Sequence, residues 1–365
     1  MFKPEEKGNY EEGESLVAKR MNERVTVFIV APFPTDCVER IKAADPRADI
    51  IYDDTLMPKL RYPADRVGHP LTFTAEMEEK WRGYLARADI LLGFDRPRLT
   101  HLTELAPRLR WIQATSTAVG PVVKELGWDE KGLTVTSASG IHAVPIAEFV
   151  IMSLLAFTKD IFHLFHLKQQ KAFQRYCTGQ LQGKTLGIVG LGKNGTEVAR
   201  RATALGMRVL GIKRNHEGAN PATLGVDQIY PKDHIHAMLG QCDFVSLTVP
   251  TTPETHQYMD DSKFKAMPPG SVLINNSMGT IVNEEDLIRA LQEGHLGGAA
   301  LDVFAKEPLD PQSPLWEMDN VLLSPHSASC AQWEDAKMTD LFIDNLRRYL
   351  DGLPLRNVID PERQY

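Results

Sequence analysis

Short apolar runs separated by amphipathic stretches recur along this chain, and their alternation sets its architecture. Residues 185–189 form a wholly apolar segment of the kind a buried parallel strand needs. Similar runs lie at 25–31, 50–52, 90–93, 111–114 and 133–136, with a helical pattern over 75–87. Further along, strands are expected at 207–212, 244–249, 271–274, 299–304 and 321–324, and helices over 196–205, 284–291 and 332–350. Alternation of this kind predicts an α/β protein with parallel sheets. Residues 144–173 read as one long helix or a broken pair, and the first half is apolar nearly all round, as in a helix buried deeply or covered by a partner subunit. His163 and His166 decorate it. Residues 1–23 are mostly charged and polar, and read as a mobile tail.

The strand at 185–189 leads into the sequence GKTLGIVGLGKNG, in which Gly190, Gly192 and Gly195 have the G-x-G-x-x-G spacing. Between a strand and a helix, this is a dinucleotide cradle. The first glycine turns the chain, the second admits a pyrophosphate, and the third brings helix and strand together. Lys193 and Asn194 lie within the same turn, where the helix N-terminus faces the phosphates. An acidic residue about 20 positions beyond the glycines would select NAD through its ribose hydroxyls. Here Lys213, Arg214 and Asn215 follow the second strand, with no carboxylate before Glu217. A cationic pair suits a 2′-phosphate, so NADP(H) is favoured, with NAD(H) as the alternative.

Length and composition narrow the function classes. The 365 residues suffice for two domains, with 43% hydrophobic and 24% charged residues. A net charge of −7, without basic runs, offers nucleic acid no footprint. Cys37, Cys177, Cys242 and Cys330 are far apart and lack metal-type spacing, which suits a reducing cytoplasm and predicts no metal site. The apolar segment at 149–157 is too short to span a bilayer.

Seven segments together resemble the D-2-hydroxyacid dehydrogenase family. They are LRWIQATSTAVG (109–120), SGIHAVPIAE (139–148), GKTLGIVGLGKNG (183–195), LTVPTTPET (247–255), INNSMG (274–279), GGAALDVFAKEPL (297–309) and VLLSPHSAS (321–329). The resemblance implies two Rossmann-like domains with doubly wound parallel sheets. The substrate domain would comprise 24–142 plus 327–365, its last helix returning from the C-terminus, and the dinucleotide domain 143–326. It also implies a homodimer built on the helix after Pro145, a small-molecule substrate, and hydride transfer between NAD(P)H and a 2-oxo or 2-hydroxy acid or related carbonyl compound.

Reducing a ketone leaves an alkoxide to be protonated, and a histidine beside a carboxylate suits that step. The family pattern assigns these roles to His326 and Glu307. It also implies cofactor contacts at Val249, Pro250, Thr255, Ser277, Asp302 and Ala328, and substrate contacts in the loop Ala118, Val119, Gly120. His142 falls in the hinge motif and reads as structural. The family's substrate-anchoring arginine corresponds to Met278, which has neither donor nor charge. Three accounts follow: a less anionic substrate, a cation such as Arg96 or the 118–120 amides in its place, or a protein that binds NAD(P) without net turnover.

Overall fold

The computed structural model describes residues 24–363, apart from the Arg96 side chain. The expected tail at 1–23 lies outside the described residues. The chain divides into two compact units, one running through Ile141 and resuming at Ala331, the other spanning His142–Cys330.

The first unit is a five-stranded parallel sheet in the order β2-β1-β3-β4-β5, built from β1 Val25–Ile29, β2 Ala48–Ile51, β3 Ile90–Leu92, β4 Trp111–Gln113 and β5 Thr134–Thr136. Helices α1 Thr35–Lys42, α2 Ala75–Leu85, α3 Leu102–Leu105 and α4 Gly120–Glu125 connect them. Each sheet face buries its own cluster. Phe28, Leu91, Ile112 and Val135 face Trp81, Leu85 and Trp128 on one side. On the other, Val27, Ile29, Ile90, Leu92 and Trp111 meet Ile41, Phe342 and Leu346. The second layer is completed by the C-terminal helix Glu334–Leu350, which packs on α1 and stacks Phe342 and Tyr349 on Trp111. The unit is therefore discontinuous because this apolar face of its sheet is covered by α1 and the chain's last helix together. Fully buried Gln113 is satisfied: its Oε1 accepts from Thr136 Oγ1 at 2.8 Å and Asn345 Nδ2 at 3.0 Å, while Nε2 donates to the Ala114 carbonyl. Val358 makes only an isolated antiparallel bridge with Thr136.

The second unit holds seven parallel strands in the order β12-β11-β10-β9-β6-β7-β8. They are β6 Thr185–Val189, β7 Arg208–Ile212, β8 Gln228–Tyr230, β9 Phe244–Leu247, β10 Val272–Asn275, β11 Gly298–Leu301 and β12 Val321–Leu323. The long apolar stretch is a broken pair, α5 Ala143–Thr158 and α6 Ile161–Gln170. The break falls at Asp160, whose φ is 51° and whose side chain accepts from the His163 amide. Helices α7 Lys193–Ala204, α8 Pro221–Leu224, α9 Ile235–Leu239, α10 Asp261–Ala266 and α11 Glu284–Gln292 complete the unit. Helix α7 begins three residues before the expected position 196, so Gly192 caps it and Gly195 lies within it. Edge strand β8 was not expected from the pattern, since Gln228 is exposed and its neighbours are half-buried. The order of connection reverses between β6 and β9, and a doubly wound sheet opens a crevice beyond the strand ends at such a point.

Candidate active site

Each glycine of the turn after β6 has a separate physical reason. Gly190 has φ +108°, a left-handed conformation that disfavours side chains. A Cβ at Gly192 would meet nothing within 4 Å, whereas one at Gly195 would fall 2.1 Å from the Gly190 carbonyl oxygen. The turn is thus closed where helix meets strand and open where a pyrophosphate would pass, so the residues present fit a dinucleotide. Thr248 Oγ1 donates to the Gly190 carbonyl at 2.6 Å and fixes the turn to the end of β9.

At the end of β7, Lys213 folds back and its ammonium donates to the Leu191 carbonyl at 3.1 Å. Arg214 and Asn215 beyond it are exposed, and Arg214 Nη2 lies 3.3 Å from Glu254 Oε2. Lys193 is exposed and Asn194 half-buried in the first turn of α7. Val249 packs on the apolar cluster, and the Pro250 carbonyl accepts from Thr255 Oγ1 at 2.8 Å. Thr255 Oγ1 also accepts from the Thr252 amide, so this hydroxyl holds the 250–255 turn together. Ser277 Oγ donates to the Val249 carbonyl, joining the tips of β9 and β10.

Asp302, buried at the end of β11, organises the segment after β12. Its Oδ1 accepts from Ser324 Oγ at 2.6 Å, the Ser327 amide at 2.7 Å and the Ala328 amide at 3.0 Å, while its carbonyl accepts from the His326 amide at 2.8 Å. His326 is held at φ 54°, a conformation few residues other than glycine adopt. Its Nδ1 lies 2.8 Å from Glu307 Oε2, and the other oxygen of Glu307 accepts from the Phe304 amide at 3.1 Å. The carboxylate therefore assigns the Nδ1–H tautomer and leaves Nε2 without a hydrogen bond among the described residues. Both side chains remain open to solvent, His326 at 48% and Glu307 at 37%, so a substrate can reach them.

Met278 sits at the tip of β10, half-buried against the apolar cluster, and its carbonyl accepts from Asn275 Nδ2 at 3.2 Å. A Cβ on the following residue, Gly279, would fall 1.8 Å from the Phe304 carbonyl oxygen, so only glycine permits this approach. Four segments beyond the strand ends, at 249–252, 275–279, 302–307 and 325–329, are thus tied together by Ser277 to Val249, Gly279 to Phe304, Asp302 to Ser327 and Glu307 to His326.

In the first unit, Arg96 opens the 3-10 turn Arg96–His101, and its side chain is outside the description. The Ala118 amide donates to Ser116 Oγ at 3.3 Å. The amides of Val119 and Gly120, at the start of α4, make no hydrogen bond among the described residues. His142 immediately precedes α5. Three polar residues of the second unit were not singled out by the sequence. Lys232 and Glu254 carry charge at its β8 edge, and Asn276, just past interior strand β10, is a buried amide whose Nδ2 donates to the Ile146 carbonyl while Oδ1 has no partner among the described residues. The extra asparagine in INNSMG was the one signal for Asn276.

A profile for the D-isomer specific 2-hydroxyacid dehydrogenase NAD binding domain matches residues 151–328. A glyoxylate reductase of Korarchaeum cryptofilum is 31% identical over 266 residues, 71% of this chain and 78% of that protein. The chain belongs to the D-isomer specific 2-hydroxyacid dehydrogenase family. Its described fold agrees with solved family members. A family protein from Aeromonas salmonicida superposes with TM-score 0.75 at 28% identity, covering 93% of this chain and all of that one. A family dehydrogenase from Xanthobacter autotrophicus, in complex with NADPH and MES, gives TM-score 0.74 at 26% identity, covering 94% of this chain and 100% of that one. This family member is accordingly an NAD(P)-dependent oxidoreductase, with its cofactor domain in the glycine-bearing second unit. Among the described residues, no helix is long and apolar enough to cross a membrane.

Proposed function

We propose that this dehydrogenase uses NADPH to reduce a small 2-oxo acid of the glyoxylate or hydroxypyruvate kind, with His326 as the acid/base. The observation that carries this reading is the 2.8 Å contact between His326 Nδ1 and Glu307. A reduced nicotinamide, when bound, supplies hydride to the substrate's carbonyl carbon. His326, protonated on both nitrogens, then delivers its Nε2 proton to the carbonyl oxygen, and the products are the 2-hydroxy acid and oxidised cofactor. Glu307 holds the ring by Nδ1 and offsets the positive charge that the imidazolium carries before transfer. Gly190, Gly192, Gly195, Lys193 and Asn194 would hold the pyrophosphate, Val249, Pro250, Thr255 and Ser277 would line the adenosine side, and Asp302 with Ala328 would position the carboxamide. Preference for NADPH is supported by exposed Arg214 and Asn215 at the end of β7, a segment with no carboxylate of its own before Glu217, while Lys213 beside them donates to the Leu191 carbonyl. The solved Xanthobacter relative also holds NADPH.

Met278 supplies no charge to a carboxylate, so in this reading the anion is held by another donor, either a cation such as Arg96 or the amides of the 118–120 loop. The outward residues Met152 and Leu155 of α5 are 48% and 39% exposed, and we assign that apolar face to a homodimer contact. The test is oxidation of NADPH and of NADH across a panel of small 2-oxo acids. Turnover is expected with NADPH, and His326→Gln should lower kcat by about 10²–10⁴ without weakening NADPH binding. Met278→Arg should raise kcat/KM for glyoxylate or hydroxypyruvate at least tenfold, about 1.4 kcal/mol of transition-state binding. Met278 also favours a second reading, a protein that binds NADPH without net turnover. Silence across the panel with NADPH still bound would replace the first reading by the second.

A further inference from the structure

Edge strand β8 brings a second cation to the place where the first was expected. Strands β7 and β8 run parallel, with Ile212 opposite Tyr230 and the Lys213 amide donating to the Tyr230 carbonyl. Residues just past the two strands therefore emerge side by side at the carboxyl edge. From β7 this is Arg214, and from β8 it is Lys232, which opens the 3-10 turn Lys232–His234. The loop after β9 reaches the same point with Glu254. One carboxylate oxygen, Oε2 of Glu254, lies 3.3 Å from Arg214 Nη2 and 3.7 Å from Lys232 Nζ. Lys213, the other cation of the motif, is turned away onto the Leu191 carbonyl.

Two cations converging on one oxygen from different strands describe the position of an anionic oxygen. We propose that Arg214 and Lys232 are the two jaws of a clamp for the cofactor's 2′-phosphate, and that Glu254 is the resident carboxylate the phosphate displaces. The proposal rests on the NADPH reading above and adds Lys232 and Glu254 to it. A phosphate monoester carries roughly −1.5 to −2 charges near neutral pH, against −1 for a carboxylate, and has more acceptor oxygens, so it outcompetes Glu254 for the pair. Glu254 and the phosphate cannot occupy the clamp together, because like charges repel. With NADH there is no phosphate, so Glu254 stays on its cations and can accept from the ribose hydroxyls. Glu254 therefore lowers affinity for NADPH while supporting NADH, and Lys232 acts on NADPH alone. All three side chains are 38–61% exposed, so exchange of one anion for another needs no rearrangement of the core.

The test measures dissociation constants of NADPH and NADH for the full chain by nicotinamide fluorescence, in the parent and in Arg214→Met, Lys232→Met and Glu254→Gln. Lys232→Met should weaken NADPH by about tenfold, as expected for one charge-assisted hydrogen bond, and change NADH by less than about twofold. Glu254→Gln should tighten NADPH by roughly threefold or more, the size of an exposed ion-pair competition, and not tighten NADH. Raising the salt should shrink both effects on NADPH. Equal losses for both cofactors in Lys232→Met, or unchanged NADPH affinity in Glu254→Gln, would overturn the clamp. If Arg214→Met alone weakened NADPH selectively, the NADPH reading would stand and the clamp would fall. A parent chain that bound NADH as tightly as NADPH would overturn both.

Discussion

Alanine at Gly192 and at Gly195 separates the cofactor cradle from the fold that carries it. At Gly192, φ is −89° and ψ −161°, which alanine adopts readily, and its Cβ would have open space within 4 Å. The free protein loses only glycine's advantage over alanine as a helix cap, under about 1 kcal/mol. At Gly195 the new Cβ would lie 2.1 Å from the Gly190 carbonyl oxygen and 2.8 Å from Thr248 Oγ1. Those two atoms are already hydrogen-bonded to each other, so neither can yield without breaking the turn. Overpacking of this kind costs about 1–3 kcal/mol. Each kcal/mol moves the melting temperature by roughly 2–4 °C for a unit of this size. The assay is thermal unfolding with and without NADPH, which at about 100 times its Kd stabilises the parent by about 2.7 kcal/mol. Gly192→Ala should melt close to the parent without ligand and lose most of the NADPH shift, since its methyl enters the space a pyrophosphate needs. Gly195→Ala should melt lower even without ligand. Retention of the full NADPH shift by Gly192→Ala would refute the placement of the cradle. A Gly195→Ala protein as stable as the parent would refute the packing argument.

Two further predictions concern the thiols and the response to acid. Cys177 and Cys330 are exposed, whereas Cys37 and Cys242 are buried, and burial pushes the Cys242 thiol up to about 12. A thiol reagent at pH 8 should therefore modify two cysteines promptly and the other two only after denaturation; prompt reaction of a third would contradict the packing around β1 or β9. Asp65 is buried and accepts from Arg61 Nε at 2.7 Å, Arg61 Nη2 at 2.9 Å and the Val67 amide at 3.0 Å, which holds its carboxyl well below the usual range. Its stabilisation is thus present above the unfolded-state pKa near 4 and is lost as pH falls through the lower folded value. Asp65→Asn should lower the urea midpoint at pH 7 by more than it does at pH 3, and an equal difference at both would refute the assignment.

What was legible in the chain was whatever burial writes into the pattern. Strand β6 matches the expected 185–189 because all five of its residues are buried, and its short length and the glycines that follow favour a strand over a buried helix. The start of α7 was displaced because Lys193 and Asn194 are polar, so its first turn carries no apolar periodicity. Edge strand β8 escaped because it lacks a neighbouring strand along one edge and its residues are exposed or only partly buried. The same reasoning separates the candidate site into two parts. Segments that end buried strands could be located from the strands themselves, and they do converge. Lys232 and Glu254 could not, since Arg214 and Glu254 are 40 residues apart and only the order β9-β6-β7-β8 brings their loops to one edge.

Met278 gains a physical context from the same edge. The anchors of its segment act on the backbone: Asn275 Nδ2 on the Met278 carbonyl, Phe304 against Gly279, and Ser277 on the Val249 carbonyl. None of them uses the side chain of residue 278, whose methionine only adds partial burial against the apolar cluster. The chain path there is therefore set independently of the residue that occupies the position, and the loss of a donor leaves the neighbouring geometry standing. Asp302 and Glu307 hold His326 through contacts that do not involve residue 278. The proposed function thus assigns proton transfer and substrate anchoring to separable parts of this site. One can be altered while the other keeps its geometry, and for that reason the Met278→Arg comparison reports on substrate anchoring alone.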